Sequence, residues 1–338
     1  MAKRIAAFGE VMMRMQVPGY ESLAQSSSLQ YSFSGTGVNI ASALSRFGHL
    51  GYIVSTLPNN SIGEAAMAYL RKLGIHTSFL SRAGKYVGMY FLENGFGARP
   101  SRVTYSDRLG SSFNTSAPDT YDFSKIAEEI DIAHFCGITL AMNDSVRDQM
   151  KQFAREVKNN GKSVVFDCNF RPSLWGTDGY AIAKPHYDEM LALADIVMMN
   201  EKDAIFTLGM ETQEVDSLEQ LKDLIPKVAE KYGITVIAGT HRLVNRDNTH
   251  SLRGYMYKDG SFEFSEMLTF SVYDRIGAGD AYASGIIHGE ASGFTTERTI
   301  VFASAAAMLA HTVVGDTPTS TEAEVFQAMM DKAFDVER

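Results

Sequence analysis

Short apolar runs alternate with segments of helical period along most of this chain, and that alternation limits its fold more than any other feature. Ile5–Phe8, Tyr52–Leu57, Ile132–Cys136, Ser163–Asp167, Ile196–Met199 and Thr235–Ala238 are runs of four to six residues dominated by Val, Ile, Ala and Phe. Runs this short and this apolar fit strands buried on both faces. Between them the spacing predicts helices over Val38–Phe47, Gly63–Leu73, Val146–Lys158, Asp188–Ala194 and Leu218–Tyr232. On the first of these, Ile40, Ala43, Leu44 and Phe47 share one face and Gly48 supplies a stop. Strand, helix, strand in succession predicts an α/β fold with a mostly parallel central sheet covered by helices on both sides. Three helices, Ala281–Ala291, Glu297–His311 and Ala323–Phe334, are predicted to close the chain.

The rhythm breaks near the start and again around residue 90. Met12–Gln16 alternates as a separate strand would. Gly88–Glu93 and Arg102–Tyr105 are strand-like and are separated by Gly95, Gly97 and Pro100, which is hairpin chemistry. Together these segments predict a small β lid, inserted at about 11–17 and 86–108, over one edge of the sheet. A second hairpin is predicted where Asp259-Gly260 joins Arg253–Tyr257 to Ser261–Phe264. No repeat or linker divides the chain, so 1–338 reads as one domain carrying a lid.

Net charge is −9, and no Lys/Arg-rich run stands out, which argues against nucleic acid or an anionic membrane surface as a partner. No stretch of eighteen apolar residues occurs, so the expectation is a soluble, cytoplasmic protein. Cys136 and Cys168 form no CxxC pair, and the eight histidines form no HxxxH pair, so no metal motif is visible.

The chemistry concentrates in Asp274-Arg275-Ile276-Gly277-Ala278-Gly279-Asp280. A nearly bare backbone feeds a helix start there, and such a turn presents unpaired N–H groups and the positive end of the helix dipole. Asp280 would repel an anion bound in that turn unless its task is to take a proton from an attacking hydroxyl. The turn therefore reads as a phosphoryl-transfer site, an anion hole and a base in one turn. A dinucleotide fingerprint wants glycine at position 282, where this chain has Tyr282. Neither a Walker A sequence nor the protein-kinase motif set is present. Upstream, Ser34-Gly35-Thr36-Gly37-Val38-Asn39 opens the first helix. Small residues beside an amide that both donates and accepts suit a hydroxylated ligand, although Asn39 could also simply cap the helix.

In their order and spacing, Gly35…Asn39…Ala41…Leu44…Gly48 and Asp274…Gly277-Ala278-Gly279-Asp280…Gly285 resemble the two signatures of the ribokinase-like (PfkB) carbohydrate kinases. The likeness covers essentially the whole chain. It implies a three-layer αβα sandwich with a β lid, ATP as phosphoryl donor and Mg²⁺ accompanying it, with Asp280 as the catalytic base and the N–H groups of Gly277, Ala278 and Gly279 as the anion hole. It leaves dependence on a monovalent cation open. Asp167-Cys168-Asn169-Phe170-Arg171-Pro172-Ser173-Leu174-Trp175 is similar to a segment of the 2-keto-3-deoxygluconate kinases and related fructokinases. That narrower likeness implies a sugar-acid substrate, with Gly35, Asn39, a lid tyrosine at Tyr90, and Arg108 and Arg171 recognising it. Asn200-Glu201-Lys202-Asp203 resembles the family's NxxE segment, with Asp203 in place of Glu, so Asn200 and Asp203 are implied on the nucleotide and Mg²⁺ side. Gly239 and Thr240 resemble the start of the nucleotide loop, which here lacks its second glycine. The base pocket is expected against Ala303–His311 and Gly315. The likeness also implies a homodimer through the lid strands. The alternatives are a fructokinase, ribokinase or nucleoside kinase of the same fold, or a non-catalytic sugar or nucleotide sensor.

Overall fold

Strand β1, Arg4–Phe8, shows how the layers arise. Ile5 and Ala7 point to one side of the sheet and Ala6 and Phe8 to the other, and all four are buried. A strand apolar on both faces must be covered twice. The computed structural model describes residues 1–330 and shows that cover. On one side lie the helices Phe123–Glu129, Asp144–Asn159, Gly179–Leu193 and Ser217–Tyr232. On the other lie Thr36–Arg46, Ser61–Lys72, Ala278–Ser292 and Thr296–Ala310.

The remaining strands are β2 (Met12–Gln16), β3 (Gln30–Ser34), β4 (Leu50–Leu57), β5 (Leu80–Arg82), β6 (Gly88–Glu93), β7 (Arg102–Ser106) and β8 (Ile132–Cys136). They continue with β9 (Ser163–Asp167), β10 (Ile196–Met198), β11 (Val236–Val244), β12 (His250–Lys258), β13 (Ser261–Phe264) and β14 (Leu268–Phe270). The main sheet runs β13-β12-β11-β10-β9-β8-β1-β4-β5, with β14 also on β12. It is parallel from β11 through β5 and antiparallel around β12. A second sheet, β3-β2-β6-β7, stands apart. Parallel strands bring all their C-terminal ends to one rim, and ligands bind there in open α/β sheets.

Several elements depart from expectation. Strand β3 was not foreseen: Gln30-Tyr31-Ser32 is polar and largely exposed, and its order comes from antiparallel pairing with β2. The helix expected at Asp188–Ala194 begins at Gly179 and carries Pro185 inside it. Burial of Ala183, Tyr187, Met190 and Leu191 outweighs the hydrogen bond that Pro185 removes. Gly239 and Thr240 lie in a strand rather than a loop. β11 continues past the rim because β12 pairs with it from Val236↔Lys258 through Val244↔His250. The last helix is Glu322–Ala328, and the part expected at 331–334 lies outside the described residues. Among the described residues no helix is long and apolar enough to cross a membrane.

Candidate active site

The turn before helix Ala278–Ser292 is built by Gly277. Its φ is 87°, and a Cβ there would come 1.7 Å from the carbonyl oxygen of Asp316, so only glycine fits. The helix starts immediately, with Asp280 in its first turn and no side-chain cap. The amides of Ala278, Gly279 and Asp280 have no partner among the described residues, so the first turn presents them bare. Gly279 is exposed, and nothing lies within 4 Å of where its Cβ would be, so the turn is open to a ligand. Arg242 and Arg275 are exposed nearby, and no carboxylate pairs with either among the described residues. Partial burial, then the neighbouring Arg275, lowers the pKa of Arg242.

Asp280 itself is 8 % exposed. Its Oδ2 accepts from Asn39 Nδ2 at 2.6 Å. Burial pushes its carboxyl up to about 6, against the opposing pull of the Asn39 hydrogen bond and the Arg171 cation. Asn39 sits in helix Thr36–Arg46 and does not cap it; the N-cap is Gly35. Gly35 has φ 142°, and a Cβ there would be 2.3 Å from the carbonyl oxygen of Glu10. That close approach swings the helix so that Asn39 faces Asp280, a connection across 241 residues of sequence.

Asn39 is held in turn. Its Oδ1 accepts from the Thr317 hydroxyl at 3.1 Å. Asp316, next in the chain, accepts from Ser34 Oγ at 2.9 Å and from Tyr90 and Arg14. Arg14, on β2, also donates to Asp274 Oδ2 at 2.9 Å and to Gln16 at 2.5 Å. Asp274 Oδ1 accepts from the backbone N–H groups of Arg275 and Ile276 at 2.7 and 3.2 Å. Tyr90 therefore faces the site from the second sheet with its hydroxyl committed to Asp316 and Ser34.

Beyond Asp280, the strand ends bring further acids together. Asp167 closes β9, and Asp203 opens a short π-helical turn after β10. Burial, then the charges of Asp280 and Asp203, pushes Asp167 up to about 8. Burial is also the main cause that raises Asp203 to about 6, against the Asn200 N–H it accepts at 2.8 Å. Arg171 is exposed and unpaired among the described residues, and it is the cation that lowers all three carboxyls. Asn200 Oδ1 is buried without a partner, close to Gly239. Glu201 is buried with His241 Nε2 at 3.3 Å; burial raises its pKa, but His241 outweighs that and the net shift is downward.

Arg108 is placed differently from Arg171. Its Nε donates to Glu10 Oε2 at 2.6 Å, and its guanidinium lies over the Tyr105 ring at 5.2 Å. Glu10 also accepts from Ser111 at 2.6 Å and from Asn114 at 3.2 Å, so Arg108 is a buried carboxylate's partner.

Most of the expected residues thus meet at one rim: Gly35, Asn39, Arg171, Asn200, Asp203 and the Gly277–Asp280 turn. Tyr90 on β6 and Arg108 in the turn after β7 approach through their partners, while Gly239 and Thr240 lie on β11, with Gly239 against Asn200. Arg14, Asp316 and Thr317 were not foreseen as site residues, and Asp167 and Asp274 were read only as members of their motifs, without a role of their own. Only the apolar spacing around Arg14 (Met12-Met13-Arg14-Met15) could have flagged it, as a lone charge within a strand.

A parallel sheet whose rim holds a buried acid beside bare helix-start amides is the frame of an alcohol-phosphorylating kinase, and the chain belongs to the pfkB family of carbohydrate kinases, whose sequence model matches residues 2–323. Within that family its similarities point to kinases of keto-deoxy sugar acids. A 2-dehydro-3-deoxygalactonokinase from Haloferax volcanii is 25% identical over 325 residues, covering 96% of each chain. The structure of a 2-dehydro-3-deoxygluconokinase from Thermotoga maritima is 29% identical, with a TM-score of 0.92 over 98% of this chain and 99% of that one. The structure of a candidate 2-keto-3-deoxygluconate kinase from Enterococcus faecalis is 36% identical, with a TM-score of 0.95 over 100% and 99%.

Proposed function

We propose that this kinase transfers the γ-phosphoryl group of ATP to the primary hydroxyl of 2-keto-3-deoxygluconate, giving the 6-phosphate. The observation that carries this reading is Asp280: a carboxylate buried at a helix start, aimed by Asn39 and held near pKa 6, beside amides with no partner. A carboxylate in that state is ionised at neutral pH yet basic enough to take the hydroxyl proton as the oxygen attacks phosphorus. The proton moves to Asp280, the new P–O bond forms, and the bond to the leaving diphosphate breaks. The amides of the Gly277–Asp280 turn stabilise the charge on the transferring group without reorganising. Arg275 and Arg242 offer two unpaired cations to the polyphosphate. Arg171 offers its fork to the sugar-acid carboxylate. Arg108 contributes from the second sheet, where Glu10 and Tyr105 fix its orientation.

Mg²⁺ fits the residues present. Asp167 lies under the charges of Asp280 and Asp203, and Asn200 Oδ1 lacks a partner, so the site holds surplus oxygen donors. Among the described residues no group of three His, Cys, Asp or Glu side chains could cage a metal, which suits an ion that keeps water and phosphate ligands. Asn200, Asp203 and Asp167 would hold it through water, and bound there it would neutralise charge on the phosphates.

A homodimer is also proposed. Tyr31, Met15 and Phe91 stand in register across β3, β2 and β6 and form an incompletely covered apolar row, which a second copy of the sheet would cover. Light scattering of wild type and of Met15→Glu tests this, with a shift from dimer to monomer expected and a monomeric wild type refuting it. The substrate assignment is tested by ATP consumption over 2-keto-3-deoxygluconate, its galacto epimer, fructose, ribose and nucleosides. Preference for a neutral sugar or nucleoside overturns it.

A further inference from the structure

Arg14 is 1 % exposed, yet no part of the phosphotransfer just described uses it. A buried guanidinium is retained only when paired, and one counter-charge satisfies that need. Arg14 has two, from segments that are far apart in sequence and that flank the catalytic turn on both sides. One is Asp274, whose other oxygen receives the N–H groups of Arg275 and Ile276 leading into Gly277. The other is Asp316, whose carbonyl oxygen closes on Gly277. The next residue, Thr317, donates to Asn39 Oδ1 at 3.1 Å. That last bond braces the Asn39 carboxamide from its oxygen end while Nδ2 donates to Asp280; flipped, the amide would turn a carbonyl oxygen on a carboxylate.

We propose that Arg14 is a positioning residue for phosphotransfer. From within the second sheet it orients Asp280 through Asp316, Thr317 and Asn39, and it sets the amide-bearing turn through Asp274. This rests on Asp280 being the base. The planar fork matters because a lysine would deliver one point charge to one of the two carboxylates. The second sheet is thereby tied to the reacting end of the site by a charged contact as well as by packing. Formation of that contact aligns the base.

The groups that face Asp280 are Asn39 from helix Thr36–Arg46, Arg171 from the loop after β9, Asp167 at the end of β9 and Cys136 at the end of β8. Of these, Asn39 is the one the Arg14 chain controls, so loss of the chain has a defined electrostatic signature. Removing the Asn39 hydrogen bond takes away the first influence opposing burial at Asp280, and its pKa rises.

The test compares wild type, Arg14→Gln, Arg14→Lys and Thr317→Val by kcat and KM for both substrates across pH 5–9, with melting temperatures. Arg14→Gln is expected to lower kcat by about 10–100-fold through misplacement of the base, while both KM values change by less than about threefold. Its acid limb is expected to move upward by about half a unit to one unit. Thr317→Val, which is neutral and nearly isosteric, should reproduce the upward shift with a smaller loss of kcat. Arg14→Lys should melt near wild type without recovering kcat. An unmoved acid limb in Thr317→Val overturns the proposal, as does full recovery by lysine or a change confined to the sugar KM. If Arg14→Gln does not fold, the lysine and valine variants still decide. Wild type that phosphorylates no sugar acid overturns the proposed function instead, so the two failures are separable.

Discussion

Replacing Asp280 with Asn should stabilise the protein while abolishing turnover, and the size of each effect follows from burial. The carboxyl rises from 3.8 to about 6 because burial disfavours its charge. Two pKa units correspond to about 3 kcal/mol of differential free energy. The folded-state pKa lies above the unfolded value, so this penalty is absent below about pH 4 and fully present above about pH 6. Asparagine removes it and still accepts from Asn39 through its carbonyl oxygen. Its amide end then needs a partner, which costs about 1 kcal/mol. The net gain at pH 8 is about 2 kcal/mol. A chain of 338 residues has an unfolding entropy near 0.7 kcal/mol/K, so the melting temperature should rise by about 3 °C. At pH 4 the charge penalty is absent while the cost of the amide end remains, so the variant should be less stable than wild type by about 1 kcal/mol. Turnover should fall by about 10²–10⁴-fold, with nucleotide and sugar affinities little changed. Scanning fluorimetry at pH 8 and 4, a coupled ADP assay and calorimetric titration of each substrate measure all three. A variant that melts lower than wild type at pH 8, or that keeps a tenth of its kcat, refutes the picture of a buried, strained base.

Other expectations are simpler. Wild-type kcat should decline as pH falls through about 6, where Asp280 takes up a proton, and an acid limb below pH 5 would contradict this. Arg171→Met should raise the sugar-acid KM by about tenfold or more. It should also move that limb upward, because Arg171 holds Asp280 down; a neutral analogue lacking the carboxylate should show only the limb shift. Arg108→Met leaves Glu10 buried without its cation, at a cost of about 3 kcal/mol. Most of that loss in chemical denaturation should return in the double variant with Glu10→Gln.

What could be read from the sequence divides along physical lines. Strands such as Ile5–Phe8 and Ser163–Asp167 declare themselves because burial on both faces demands apolar residues throughout. The Gly277–Asp280 turn declares itself because close backbone approach demands glycine. Strand β3 is hidden because Gln30-Tyr31-Ser32 meets no such demand and is ordered only by its neighbour. The start of helix Gly179–Leu193 is masked by Pro185, whose local penalty is outweighed by distant packing partners. Arg14 and Asp316 are 302 residues apart, and no spacing rule links them; each alone looks like an ordinary charged residue. Arg108 has the right type for a ligand contact, but its nearest acid is Glu10, a partner that becomes visible only in three dimensions.

The crowding of acids at the rim has a consequence for how the enzyme charges itself with substrate. With Asp167 pushed up to about 8 by burial and its acidic neighbours, the protein without ligands would keep a hydrogen ion there at neutral pH. A dication arriving with its nucleotide would make that ion unnecessary, and it would leave for the solvent. Loading would then acidify the medium, and the heat of binding would vary with the buffer chosen. Alkaline conditions would favour occupancy even before any bond is made or broken.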